Sequence, residues 1–226
     1  MKYIFKHNLN NHRKWEKLKK EILGGFSGKV GAVVGASWRG IDYMRGLPRL
    51  SKKPRSEGQN AQTSKMRLFR GFLLGIDNIV AKCFQNYSQY TEMNAALSYN
   101  MINAVTGNYP EFVVDFPALV FAKGELLGSW NPKAISKKAN QVTVSWKNRT
   151  FCNMSAGDNE VNIIIYDSET NQFHVFENVG LRSDKSITLA VPGDVSGNTM
   201  HCYLSFYSTK FKISSTNEYL GEIILT

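Results

Sequence analysis

From residue 107 onward, short apolar runs alternate with turn-forming clusters at intervals of about 8–12 residues, and that rhythm limits the fold more than any other feature of the chain. The runs fall at 118–124, 141–146, 161–167, 172–176, 186–191, 200–208 and 219–225. Between them, the connections 153–160, 167–171 and 192–198 are rich in Gly, Asp, Asn and Ser, residues that tolerate tight and left-handed backbone. The spacing predicts an antiparallel β-sandwich or barrel over residues 108–226.

Within that half, V-T-V-S-W at 142–146, V-N-I-I-I-Y at 161–166 and H-C-Y-L-S-F at 201–206 resemble the second, third and sixth strands of fibronectin type III domains. The resemblance implies an immunoglobulin- or fibronectin-like sandwich, with Trp146 as the core indole and Tyr203 as the corner tyrosine. Sandwiches host many functions, so this speaks to fold and not to activity.

The preceding segment, 59–107, is helical in period. Phe69, Phe72/Leu73, Ile76, Ile79/Val80 and Cys83/Phe84 recur at helical spacing, which predicts one helix from about 60 to 84. Ser56, with Gln59 three residues on, has the capping-box pattern. A second helix over 91–105 places Met93, Leu97, Met101 and Ile102 on one side, completing a helical hairpin. The aromatic stripe reads as core rather than as a ligand box. The class expected for the whole chain is therefore mainly β with a helical segment, α+β.

Residues 1–58 have a different texture. Trp15, Leu18 and Ile22 recur as in a short amphipathic helix over 10–23, with Asn10 or Asn11 as cap, Gly24 and Gly25 as stop, and a cationic opposite face. Such a helix is marginal alone and needs a surface. Next, 29–34 and 41–45 read as two strands and 35–40 as a turn or bulge, giving a glycine-rich β-hairpin arm. Two strands are barely stable by themselves, so the arm should pair with another sheet edge. Pro48, Pro54 and several cations make 47–59 an extended connector.

Charge is placed unevenly. Residues 1–80 hold 17 of the 28 Lys/Arg and only 5 of the 18 Asp/Glu. A polyanionic partner, whether a nucleic acid, an anionic lipid face or an acidic protein surface, would account for that, and so would a sticky segment kept soluble. Three cysteines without C-x-x-C spacing suggest neither a disulfide framework nor a zinc site, although Cys152 and Cys202 could meet across a sandwich. No signal peptide is legible at the start and no apolar run is long enough to span a membrane. The expectation is a cytoplasmic protein, or one incorporated in a virion or other assembly.

The sequence points away from catalysis. The segment 25–29, G-F-S-G-K, departs from a phosphate loop at Leu23 and Val30. His7, His12, His174 and His201 are scattered, no Ser or Cys has a nucleophile-elbow context, and Asp158 and Glu160 read as solvated loop acids. No cofactor, metal or small-molecule substrate is expected. Two non-enzymatic readings stand: assembly into a homo-oligomer or with other protein subunits through the arm, or binding of nucleic acid by the basic region. The residues expected to make contact are Lys29, Trp38, Arg39, Tyr43 and Arg45 on the arm, with Arg49, Lys52, Lys53 and Arg55 on the connector.

The run S-G-K-V-G-A-V-V-G-x-S-W-R-G-I-D-Y-M-R at 27–45, the basic proline connector, Q-x-x-x-x-S-K-M-R-L-F at 59–69 and Y-x-x-x-N-A-V at 99–105 are similar to those of a family of uncharacterised bacteroidete proteins. Its members carry the same hairpin, helical middle and β-sandwich end. The resemblance covers nearly all of the chain after residue 24; the first 23 residues depart from the family's usually shorter start. It supplies no activity or ligand, but related basic-hairpin proteins resemble structural components encoded by phages or mobile elements.

Overall fold

The computed structural model describes residues 27–38, 40–48, 53–85, 90–148, 152–193 and 195–226, together with the backbone of 15–17. The chain divides into two compact units, Met1–Arg55 and Ser56–Thr226.

The first unit holds a four-stranded antiparallel sheet. Its strands are β1 (Trp15–Lys17), β2 (Gly28–Val30), β3 (Val33–Trp38) and β4 (Ile41–Gly46), in the order β1-β4-β3-β2. Two sequence expectations change here. Trp15–Lys17 is not part of a helix but a strand, in register with Arg45, Met44 and Tyr43. The edge of β4 offers it a ready ladder, whereas a short helix has little to hold it. The rest of the expected helix lies outside the described residues. The turn expected at 35–40 is also displaced, because Gly35–Trp38 belong to β3. The chain reverses instead at Gly31-Ala32 and between the paired residues Trp38 and Ile41, where Gly31 (φ +58°) and Gly40 (φ +73°) adopt the left-handed backbone that a tight reversal demands.

The second unit begins with α1 (Glu57–Leu74), α2 (Asp77–Cys83) and α3 (Glu92–Asn103). The expected capping box is formed: Ser56 Oγ accepts from Gln59 N at 3.3 Å and Ser56 N donates to Gln59 Oε1 at 3.1 Å. The single helix expected to run to 84 breaks at Gly75-Ile76. Gly75 has an ordinary right-handed backbone, φ −70°, so it is needed for room. A Cβ there would sit 2.7 Å from the Phe173 ring. On α3 the buried stripe is Ala95, Ala96, Leu97 and Asn100, with Met93 and Met101 half-buried, while Ile102 points outward at 76% exposure.

After a hairpin of β5 (Val105–Asn108) and β6 (Glu111–Val114), the chain runs through β7 (Trp130–Lys138), β8 (Gln141–Lys147), β9 (Glu160–Asp167) and β10 (Gln172–Phe176). It ends with β11 (Ser186–Ala190), β12 (Thr199–Ser208), β13 (Ile213–Ser214) and β14 (Glu218–Ile224). These form a three-stranded sheet, β11-β8-β7, and a five-stranded sheet, β10-β9-β12-β13 with β14 also on β12. Val142, Val144 and Trp146 face Ile163, Ile165, Cys202, Leu204 and Phe206 in one core. Ile164 and Tyr203, on the other face of the five-stranded sheet, join Phe69, Leu73, Ile79 and Val80 of the helices in a second. The helical segment therefore shares a core with the sheet, and no boundary separates them near 107. Because β9 and β12 are covered on both sides, they read as nearly continuous apolar runs.

The α+β class with a sandwich-like end is what the structure has. Some sandwich details differ. The run 118–124 is not a strand: a short 3-10 turn, Phe116–Ala118, leads into extended chain whose backbone is bonded by side-chain amides. Trp146 is a core indole, donating Nε1–H to the Arg182 carbonyl at 3.1 Å. Tyr203 is not a corner tyrosine; it lies in mid-strand and its hydroxyl donates to the Phe116 carbonyl at 3.0 Å. Cys152 and Cys202 do not meet. Both thiols are free, the first exposed and the second buried, where burial pushes its pKa up to about 12.

Candidate interaction surface

Register decides which of the expected contact residues share a face, because successive side chains of a strand point to opposite sides. Lys29 lies opposite Val34, and Val34 opposite Arg45. Ala36 lies opposite Tyr43, and Trp38 opposite Ile41. Lys29, Val34, Ala36, Trp38, Ile41, Tyr43 and Arg45 consequently occupy one face of the small sheet. Val30, Val33, Gly35, Ser37, Asp42 and Met44 belong to the other. The structure thus gathers four of the nine expected residues, Lys29, Trp38, Tyr43 and Arg45. Lys53 and Arg55 are exposed in the stretch before α1 and are not on the sheet. Arg39, Arg49 and Lys52 lie outside the described residues.

Lys29 and Arg45 are exposed, Tyr43 is half-buried, and Trp38 is 53% exposed. Asp42 is on the opposite face, and so by register is the position of Glu16, which pairs with Met44. Val34 and Ile41 were missed as members of the face. Period-2 alternation would have found them had the reversal been placed at Gly31.

A concave feature lies in the helical and sandwich unit. Leu68 and Phe72 of α1, Phe112 of β6, and Phe116, Tyr166 and Phe173 line a cleft of about 670 Å3. Its rings pack closely: Phe72 stands 4.8 Å from both Tyr166 and Phe173, and Phe116 5.3 Å from Tyr166. Tyr166 donates its hydroxyl to Asn171 Oδ1 at 2.8 Å. The cleft has apolar walls and no acid–base pair, so it offers packing surface and no evident chemistry.

Buried polar groups elsewhere have structural work. Asp167 would be raised by burial, but hydrogen bonds from Asn198, Thr170 and Glu169 outweigh that and hold its carboxyl below the usual range. The Arg182 guanidinium lies over the Phe206 ring at 3.9 Å and donates to the Leu127 carbonyl. Glu160, expected to be a solvated loop acid, instead opens β9 and pairs with Lys82 at 3.4 Å. Among the described residues no three His, Cys, Asp or Glu side chains are grouped to hold a metal ion, and no described helix is long and apolar enough to cross a membrane.

His201 stacks on Phe116 at 3.8 Å and shares a hydrogen bond between its Nδ1 and the Tyr219 hydroxyl, 2.8 Å. Across the strands it faces Tyr166 and Glu222. Burial lowers its pKa, against the opposing pull of Glu222, and burial lowers that of His174 as well. An unfolded imidazole takes a proton near pH 6.5, whereas the folded ones resist it. As far as these two groups go, stability is therefore level above about pH 6.5 and declines as pH falls below it toward the folded values. Urea unfolding at pH 5.5, 6.5 and 7.5 checks this, and His201→Gln should flatten the slope.

Residues 25–221 match the model of a protein family, and the description of that family carries no activity: it is a family of unknown function. No curated protein matches the chain.

Proposed function

The chain belongs to DUF6266, a family of unknown function, and on that premise we propose that it is a non-catalytic assembly component, associating with further copies of itself through the small four-stranded sheet. One observation carries this reading. Among the described residues of the first unit no apolar side chain is buried, while Val30, Trp38, Ile41 and Leu47 are 64%, 53%, 42% and 38% exposed. A sheet of this size needs an apolar face against something to be stable, and each large side chain covered contributes roughly 1.5–3 kcal/mol.

The edge of the sheet supports the same reading. β2 pairs with β3 on one side, and its other side has no partner strand among the described residues. An open edge accepts an added strand through main-chain hydrogen bonds, and Val30 on that edge supplies apolar contact.

The test is the solution mass of nuclease-treated, full-length protein by light scattering in about 500 mM salt, where charge bridging is screened to about 4 Å. The expected result is a defined multiple of the chain mass, 25.5 kDa. A single-chain mass at micromolar concentration would overturn the reading.

A further inference from the structure

We propose that the aromatic cleft of the second unit binds an extended polypeptide segment of a partner protein, which adds to β6 as an antiparallel strand and lays alternate apolar side chains on the rings of the cleft. This goes beyond the assembly reading and uses no part of the small sheet.

β6 presents its edge to the cleft. Phe112, Val113 and Val114 all line it, and because successive side chains of a strand point to opposite faces, three consecutive residues border one space only where that space meets the strand edge-on. The edge is open. Among the described residues β6 pairs with β5 alone, and the bond from Asp115 N to the Ala104 carbonyl, 2.9 Å, fixes the phase of that ladder. Bonded and non-bonded positions alternate in an antiparallel pair, so Glu111, Val113 and Asp115 turn their main-chain groups toward β5 while Phe112 and Val114 turn theirs away. No described group bonds the outward N–H and C=O of these two residues. They call for another main chain, and a small apolar ligand would leave them unpaired.

Gly71 is an independent sign that the space is used. Glycine inside a helix is unfavourable relative to alanine, and nothing within the chain requires it at this position, because a Cβ there would meet no atom within 4 Å. At Gly75, one turn on, the Phe173 ring takes the room; at Gly71, on the wall of the cleft, the room is left to a group from outside. Register then sets the chemistry of the occupant. Val114 belongs to the core shared with the helices, and Phe116 packs on that core, so residues opposite Phe112 and Val114 face inward and are apolar. Glu111 and Asp115 fall on the other face with Val113, which is 58% exposed, so residues opposite the two acids are cations.

The experiment uses the full chain and a capped, fluorescein-labelled pentapeptide, Lys-Phe-Val-Phe-Lys, read by fluorescence anisotropy. Methylating the main-chain nitrogens of its two phenylalanines, which face β6 in an antiparallel pairing, should weaken binding roughly five- to hundredfold. Methylating that of its valine, which faces away, should leave the affinity unchanged. Amide hydrogen exchange at Phe112 and Val114 should slow when the peptide binds. Gly71→Leu should fill the cleft and abolish binding while its urea midpoint holds or rises, since leucine suits a helix better than glycine. Three results would overturn the proposal: no pentapeptide binding up to about 1 mM, equal losses from the two methylation patterns, or wild-type affinity in Gly71→Leu. Light scattering keeps this test apart from the assembly reading. The mass of Gly71→Leu should equal that of the parent; a fall would make a second copy the occupant and overturn the partner assignment. A single-chain mass in both, with peptide bound only by the parent, sinks the assembly reading alone.

Discussion

Asn217→Ala is expected to lower the unfolding free energy of the chain by about 3–6 kcal/mol, the largest loss any single side-chain truncation here should cause. Asn217 Oδ1 accepts from both Phe121 N (2.9 Å) and Ala122 N (3.1 Å), and its Nδ2 donates to the Leu119 carbonyl at 2.9 Å. Truncation strands three main-chain groups beside Leu119, Phe121 and Ala122, which are at most 1% exposed, and each unpaired group costs roughly 1–3 kcal/mol. Against a typical total of about 5–15 kcal/mol, that is a large share. Asn217→Asp keeps the acceptor for the two amides but sets a charged oxygen against the Leu119 carbonyl, so at neutral pH it should recover only part of the loss. Urea unfolding of the three proteins checks the order. A loss under about 1 kcal/mol for the alanine variant would mean that the stretch does not depend on the amide.

That same stretch shows where the sequence stops being legible. Residues 118–124 are as apolar as a strand, yet they form only a single bridge, Lys123 with Phe84, because Asn100 and Asn217 from distant elements supply most of the other main-chain partners. Nothing local announces an amide arriving from nearly a hundred residues away. β7 is the converse: it is not among the expected strands, since Pro132 and its lysines break the apolar pattern, but it is an edge of the three-stranded sheet, and an edge tolerates both. β8, β9, β10, β11, β12 and β14 were legible because their apolar residues meet a core on at least one side, and side-chain period carries that information. The capping box at Ser56 was legible because it is wholly local. The helix break was not, since Gly75 answers to Phe173, far along the chain.

The small sheet was half legible for a related reason. Glycines at 28, 31, 35, 40 and 46 offered several reversal points, and composition alone could not choose among them. Only Gly31 and Gly40 combine a left-handed backbone with a two-residue turn. Choosing them sets the alternation, and the alternation puts Lys29, Trp38, Tyr43 and Arg45 together. The aromatic cleft had no such cue, because Phe72, Phe116, Tyr166 and Phe173 come from four separate segments.

Val34→Pro is expected to dissolve the assembly, shifting the light-scattering mass in high salt from a multiple of the chain to the single chain. β3 is internal, bonded to β2 on one side and to β4 on the other, so proline removes a ladder hydrogen bond whichever way the Val34 amide points, and its ring does not fit a central strand. With few buried contacts to compensate, the small sheet has little else to hold it, whereas the second unit keeps both of its cores. Circular dichroism and the urea midpoint of that unit should therefore change little while the mass collapses. Because proline removes the whole sheet, Val30→Lys serves as the finer probe: it leaves β3 intact and puts a charge on the open edge, which deters strand addition. If the edge is the interface, both variants become single chains. An oligomer that persists in Val34→Pro would place the interface outside the small sheet, and one that persists only in Val30→Lys would move it from the edge of the sheet to one of its faces.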